Sequence, residues 1–128
     1  MNLIRNVDAF SQDDKAFQQA INLFNNKEWY LAHDAFEEIW HNTNGRERIT
    51  IQAILQIAVA EVHLTNGNTK GATILYGEGL GRLKNNILVN LGLDIVKLVD
   101  FVEMKLKVLQ AKGNIDESLA PELLKKMW

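Results

Sequence analysis

Two short stretches concentrate the side chains that could do chemistry. The first is His33-Asp34-Ala35-Phe36-Glu37, which leads to Trp40. The second carries Gln52, Gln56 and His63 at helical spacing. A helix advances ~100° per residue. With Trp29 at zero, Trp40 then falls at about 20°, His33 at about 40°, Phe36 at about 340° and Glu37 at about 80°. This register puts His33 among the aromatics and Glu37 at their edge, one turn on. Asp34, Glu38 and His41 fall farther round, toward solvent. Gln52, Gln56, Val59 and His63 share one arc flanked by apolar residues, and buried amides are costly unless hydrogen-bonded. Folding the chain back at His41-Asn42-Thr43-Asn44-Gly45 brings Glu37 and Trp40 toward Gln52, and His33 toward Gln56. His63 then lies near Tyr30.

Three chemistries fit this expected seam. One is a satisfied buried network that fixes the register of two apolar helices. Another is a pocket for a small polar ligand, walled by Trp29, Tyr30 and Trp40. The last is a catalytic or metal site on His33 and Glu37, with His41 or Asp34 in support. The metal version has a weak donor set. Di-iron bundles use Glu-x-x-His with further glutamates, whereas here the order is His-x-x-x-Glu and the facing helix offers amides. No His-Glu-x-x-His occurs, so a zinc-protease helix is excluded. A His33 base oriented by Glu37 lacks a nucleophile, because Thr43, Thr65, Thr69 and Thr73 sit in or beside ordinary helix termini. No phosphate-binding loop occurs. The stretch Gly77-Glu78-Gly79-Leu80-Gly81 lacks the preceding strand that a dinucleotide site needs.

The elements that position these residues are helices. Apolar periodicity and stop signals predict helices over about 13–24, 27–41, 47–65, 69–85 and 93–111, with a short one over about 119–127. Ser11 and Asp14 resemble a capping box for the first, and Pro121 falls in the first turn of the last. The helix over 47–65 is apolar around most of its circumference, which predicts the central buried position. The glycines at 71, 77, 79 and 81 each cost up to ~1 kcal/mol in a helix interior, so close helix contact or a kink is expected there. Glu103 and Lys107 are spaced for a surface pair. Strict apolar alternation is absent. The fold class is therefore all-α: a single-domain bundle of about five to six helices built from antiparallel helical hairpins. A weak repeat at an offset of 40 aligns Ala32 with Ala72, Phe36 with Tyr76 and Trp40 with Leu80.

Composition narrows the classes further. The 128 residues suit one domain, and an apolar content of 47% is too high for disorder. The single proline leaves room for long helices, and the lack of cysteine rules out disulfides and thiolate metal sites. A net charge of -2 and a pI near 5.9 do not favour nucleic acid as a partner. Lys105, Lys107, Lys112, Lys125 and Lys126 read as solvated helix faces. The N-terminal stretch has no long apolar region of a signal peptide, and no apolar run approaches the ~20 residues of a membrane span. A cytoplasmic protein with no cofactor is expected. The wide apolar arc of the 93–111 helix, together with Met127-Trp128, predicts a homodimer.

The stretches Phe24 to Trp40, FNNKEWYLAHDAFEEIW, and Ile51 to Tyr76, IQAILQIAVAEVHLTNGNTKGATILY, resemble the signature of the domain-of-unknown-function-309 family. The resemblance covers about residues 24–83. The C-terminal helices at about 93–127 lie outside it. It carries the family's polar positions onto His33, Asp34, Glu37, Trp40, Gln52, Gln56, His63, Asn68 and Gly71. Asp34 stands where the family more often has glutamate, and Ala53 replaces a common glycine. The resemblance implies a small helical cytoplasmic protein with no assigned activity. The reading that follows is a non-catalytic binding or interaction module. Its site would lie between the 27–41 and 47–65 helices, and its partner would be an unknown protein or a small polar ligand. The alternative is a hydrolase, metal-dependent or not, using His33 and Glu37.

Overall fold

The structure is a computed structural model that describes residues 14–114 and 119–127. Among the described residues five helices follow in order: α1 (Lys15–Asn25), α2 (Trp29–His41), α3 (Arg46–Thr65), α4 (Thr69–Leu83) and α5 (Ile95–Gln110). Each packs on its neighbour in sequence, with α3 held between α2 and α4. Among the described residues there is no strand, and no helix is long and apolar enough to cross a membrane.

Asp14 is itself the N-cap of α1: its Oδ1 accepts the Phe17 N–H at 3.0 Å. The expected leading residue of a capping box, Ser11, lies outside the described residues. Phe17, Ala20, Ile21 and Phe24 form the buried stripe of α1. Phe24 meets Trp29 and Phe36 edge-on, with ring centroids 5.0 and 6.3 Å apart. Nine residues of α3 are buried, among them Ile51, Ile54, Ile57 and Ala58, so the all-round apolar pattern does mark the central helix.

The α4 glycines differ in role. A β-carbon at Gly79 would sit 3.1 Å from Ile57 Cγ1 and 3.3 Å from the Ala53 carbonyl oxygen, so this glycine permits the close α3–α4 approach. One at Gly77 would meet nothing within 4 Å. The helix runs through both without a break.

The 40-residue repeat extends to the turns. Lys27 follows α1 with φ 63°, and Gly67 follows α3 with φ 77°. Glu28 N–H donates to Leu23 O at 2.9 Å, and Asn68 N–H to His63 O at 2.8 Å. The two turns share one hydrogen-bond pattern that closes a helix through a left-handed residue. Glycine fills that position without strain, while lysine there costs roughly 1 kcal/mol.

Three expectations are corrected. Residues 119–127 form no helix. Pro121 and Leu123 are buried, and the backbone bonds outward: Asp94 N–H donates to Leu124 O and Lys126 N–H to Gly92 O, each at 2.8 Å. The Asn25 amide clamps Leu123 from both sides, donating to its carbonyl at 3.0 Å and accepting its N–H at 2.7 Å. A nine-residue helix is marginal alone, and these tertiary partners win; the segment is an extended strap. Glu103 accepts from Lys84 Nζ at 3.0 Å, across to the end of α4, in place of the expected Lys107. Lys105, expected on a solvated face, is buried.

Candidate functional site

The expected seam between α2 and α3 takes a different shape. His33 Nδ1 lies 3.2 Å from Asp34 Oδ1, and Nε2 lies 3.7 Å from Glu37 Oε2. The pair is not buried: the side chains of His33 and Glu37 are 29% and 48% exposed. The reason is angular. Ala32 and Ile39 are buried along with Trp29 and Phe36. Including them moves the centre of the buried arc to about 320°, leaving His33 about 80° away and Glu37 about 120° away. The aromatics alone gave a centre displaced toward His33.

Gln56 turns from the seam to α4. Its Nε2 donates to Glu78 Oε1 at 3.0 Å, and its Oε1 accepts from Arg82 Nη1 at 3.1 Å. The amide thereby links the two charges of an i, i+4 pair. Gln52 is half-buried on α3, one turn earlier. Trp40 is covered by the Arg48 guanidinium, 3.8 Å above its ring. Both Trp40 Nε1 and Arg48 Nε are buried without a hydrogen-bond partner among the described residues.

His63, Asn68 and Gly71 have an architectural role. Asn68 Oδ1 accepts the Gly71 N–H at 2.9 Å, capping α4, and Asn68 Nδ2 donates to His63 Nδ1 at 3.1 Å. A β-carbon at position 71 would lie 2.6 Å from Asn68 Nδ2, so glycine makes room for the cap. Asn66 Nδ2 donates to Tyr30 Oη at 3.3 Å, which ties this turn to α2.

A buried charge cluster lies elsewhere. Glu61 of α3 and Lys105 of α5 are each 5% exposed, and Lys105 Nζ donates to Glu61 Oε2 at 2.7 Å. Tyr76 Oη of α4 donates to the same oxygen. Lys105 Nζ also donates to Leu119 O of the strap at 2.9 Å. The ammonium lies 5.8 and 5.9 Å from the ring centres of Tyr76 and Phe101. Burial raises the Tyr76 phenol well above its usual pKa, and the charge and hydrogen bond of Glu61 push the same way.

A sequence signal for this cluster exists. Lys105 continues the spacing of Leu98, Val102 and Leu109, and Glu61 continues that of Ile54, Ile57 and Ala58. Each helix carries one charge, of opposite sign, inside an apolar stripe.

The cluster forms part of the wall of a cavity of about 340 Å³. Lys27, Trp29, Leu64, Thr65, Thr69 and Ala120 complete the lining. The α1–α2 turn, the C-terminal end of α3, the start of α4, α5 and the strap all meet there. A larger groove of about 620 Å³ between α1 and α2 is lined by amides such as Gln19, Asn22 and Asn42, and among the described residues it holds no buried ionisable group. The smaller cavity combines concavity, an aromatic wall and converging charge, the features of a small-molecule site. Among the described residues, no group of three or more histidine, aspartate, glutamate or cysteine side chains is arranged to hold a metal ion.

A search of curated proteins found no match to the chain. Residues 17–75, which run from the first buried phenylalanine of α1 to Leu75 of α4, match the model of the domain of unknown function DUF309.

Proposed function

We propose that the protein is a non-catalytic binding module that takes a small polar molecule in the cavity beside Glu61 and Lys105. The carrying observation is a buried ion pair in the wall of a cavity of about 340 Å³ that is also lined by Trp29. Replacing a buried ion pair by well-packed apolar residues is often neutral or stabilising. Stability alone is therefore a poor reason for charges here, and a ligand gives a better one. The volume falls within the ~300–1,000 Å³ of ordinary ligand pockets. The hydrolase reading has less support, because each nitrogen of His33 already has a carboxylate neighbour.

The test is a protein-observed NMR screen of small polar molecules. It compares wild type with the triple variant Glu61→Leu, Tyr76→Phe, Lys105→Met. The reading expects shifts at Trp29, Thr69 and Ala120 in wild type. It expects none in the variant, whose cooperative thermal transition is retained. Wild-type hits scattered over the surface, or hits that survive the triple substitution, would sink it.

A further inference from the structure

We infer that the ligand of this cavity is a small organic anion, and that Lys27 is its principal cationic contact. The inference rests on the binding-module reading and deepens it. Among the described residues, three ionisable side chains line the cavity: Lys27, Glu61 and Lys105. Glu61 and Lys105 neutralise each other at 2.7 Å. Lys27 makes no ion pair among the described residues, so the wall is left with one net positive charge.

The backbone singles out the same residue. Lys27 holds φ 63° at the turn position that the matching hairpin gives to Gly67. Lysine is a strained choice for a left-handed position, and strained residues that persist tend to cluster at functional sites. Here the strained residue is also the cation of the cavity that has no ion-pair partner among the described residues. Thr69 adds to the positive character. It is the first residue of the 15-residue α4, whose first-turn N–H groups have no partners within the helix. Asn68 caps the N–H of Gly71, two residues beyond Thr69. Trp29, Leu64 and Ala120 supply apolar wall for the body of the ligand. An anionic head on a compact apolar body fits this lining.

The experiment titrates benzoate, neutral benzamide and cationic benzylamine into the full chain and follows amide and indole signals by NMR. Wild type, Lys27→Gly and Lys27→Arg are compared. Glycine suits the turn, so Lys27→Gly should unfold at the same or a higher temperature, and lost binding cannot then be ascribed to a lost fold. The expected result is that benzoate shifts Trp29, Thr69 and Ala120 and binds at least about tenfold more tightly than benzamide, in line with a charge-assisted contact. Lys27→Gly should weaken benzoate at least about fivefold, and Lys27→Arg should restore it. Benzamide binding as tightly as benzoate, or benzylamine binding more tightly, overturns the inference while leaving a ligand-binding cavity. Benzoate binding unchanged in Lys27→Gly overturns the role of Lys27. Silence from all three probes also overturns the inference, and the broader screen above then decides the binding reading by itself.

Discussion

Lys105 Nζ and Tyr76 Oη donate to one and the same oxygen, Glu61 Oε2, and so a single carboxylate joins α3, α4 and α5. Removing one partner of such a pair leaves the other buried and uncompensated. Lys105→Met alone should therefore cost about 3–5 kcal/mol in urea unfolding. Combining it with Glu61→Leu and Tyr76→Phe should recover most of that loss. Additive losses across the three substitutions would show that the carboxylate is not the shared joint.

The raised Tyr76 pKa sets the sign of the alkaline response. The folded phenol keeps its proton to higher pH than the unfolded one, which ionises near ~10. This contribution is complete below that pH and is lost as pH rises through the folded value. Stability should fall above about pH 10, and Tyr76→Phe should flatten the decline. Chemical denaturation between pH 8 and 11 measures it, and an unchanged slope in the variant would contradict it.

Lys27 occupies a position built for glycine. Lys27→Gly should raise stability by up to about 1 kcal/mol, since relief of the left-handed strain exceeds the added freedom of the unfolded chain. A loss larger than about 1 kcal/mol would mean that the lysine side chain stabilises the native turn by contacts that outweigh its strain.

The glycines of α4 separate by their surroundings. Gly79→Ala drives a methyl group against Ile57 and the Ala53 carbonyl, and should destabilise by about 1–3 kcal/mol. Gly77→Ala meets open space and should stabilise by roughly 0.5–1 kcal/mol. Thermal unfolding of the two variants should move in opposite directions. Equal effects would remove the claim that only Gly79 serves helix approach.

The architecture was legible because it rests on strong local signals. The buried stripe Phe17, Ala20, Ile21 and Phe24 and the largely apolar α3 read directly as helices, and Asn25-Asn26 and Asn66-Gly67-Asn68 as their stops. The strap was not legible. Pro121 and Ser118 carry a good local start signal, and only distant partners at Asn25 and Gly92 override it. The seam between α2 and α3 was legible in part. His33 and Glu37 do meet, but an arc judged from aromatics alone set them too deep. Glu61 and Lys105 are 44 residues apart, and no local rule pairs them. Their one shared sequence signal is opposite charge, each stranded in an otherwise apolar stripe.

The long separation of that pair bears on the order in which the chain matures. Glu61 leaves the ribosome 44 residues ahead of its counter-ion. At roughly 5–20 residues per second, α3 then waits about 2–9 s with an acid in its inner stripe. The early helices should stay loosely associated through that interval, and arrival of Lys105 should lock them. Stalled nascent chains provide the measure: those exposing residues only up to 100 should be cut readily by protease, and those exposing 110 or more should resist. Protease resistance already present in chains exposed only to residue 100 would show that the N-terminal hairpins commit before the ion pair forms.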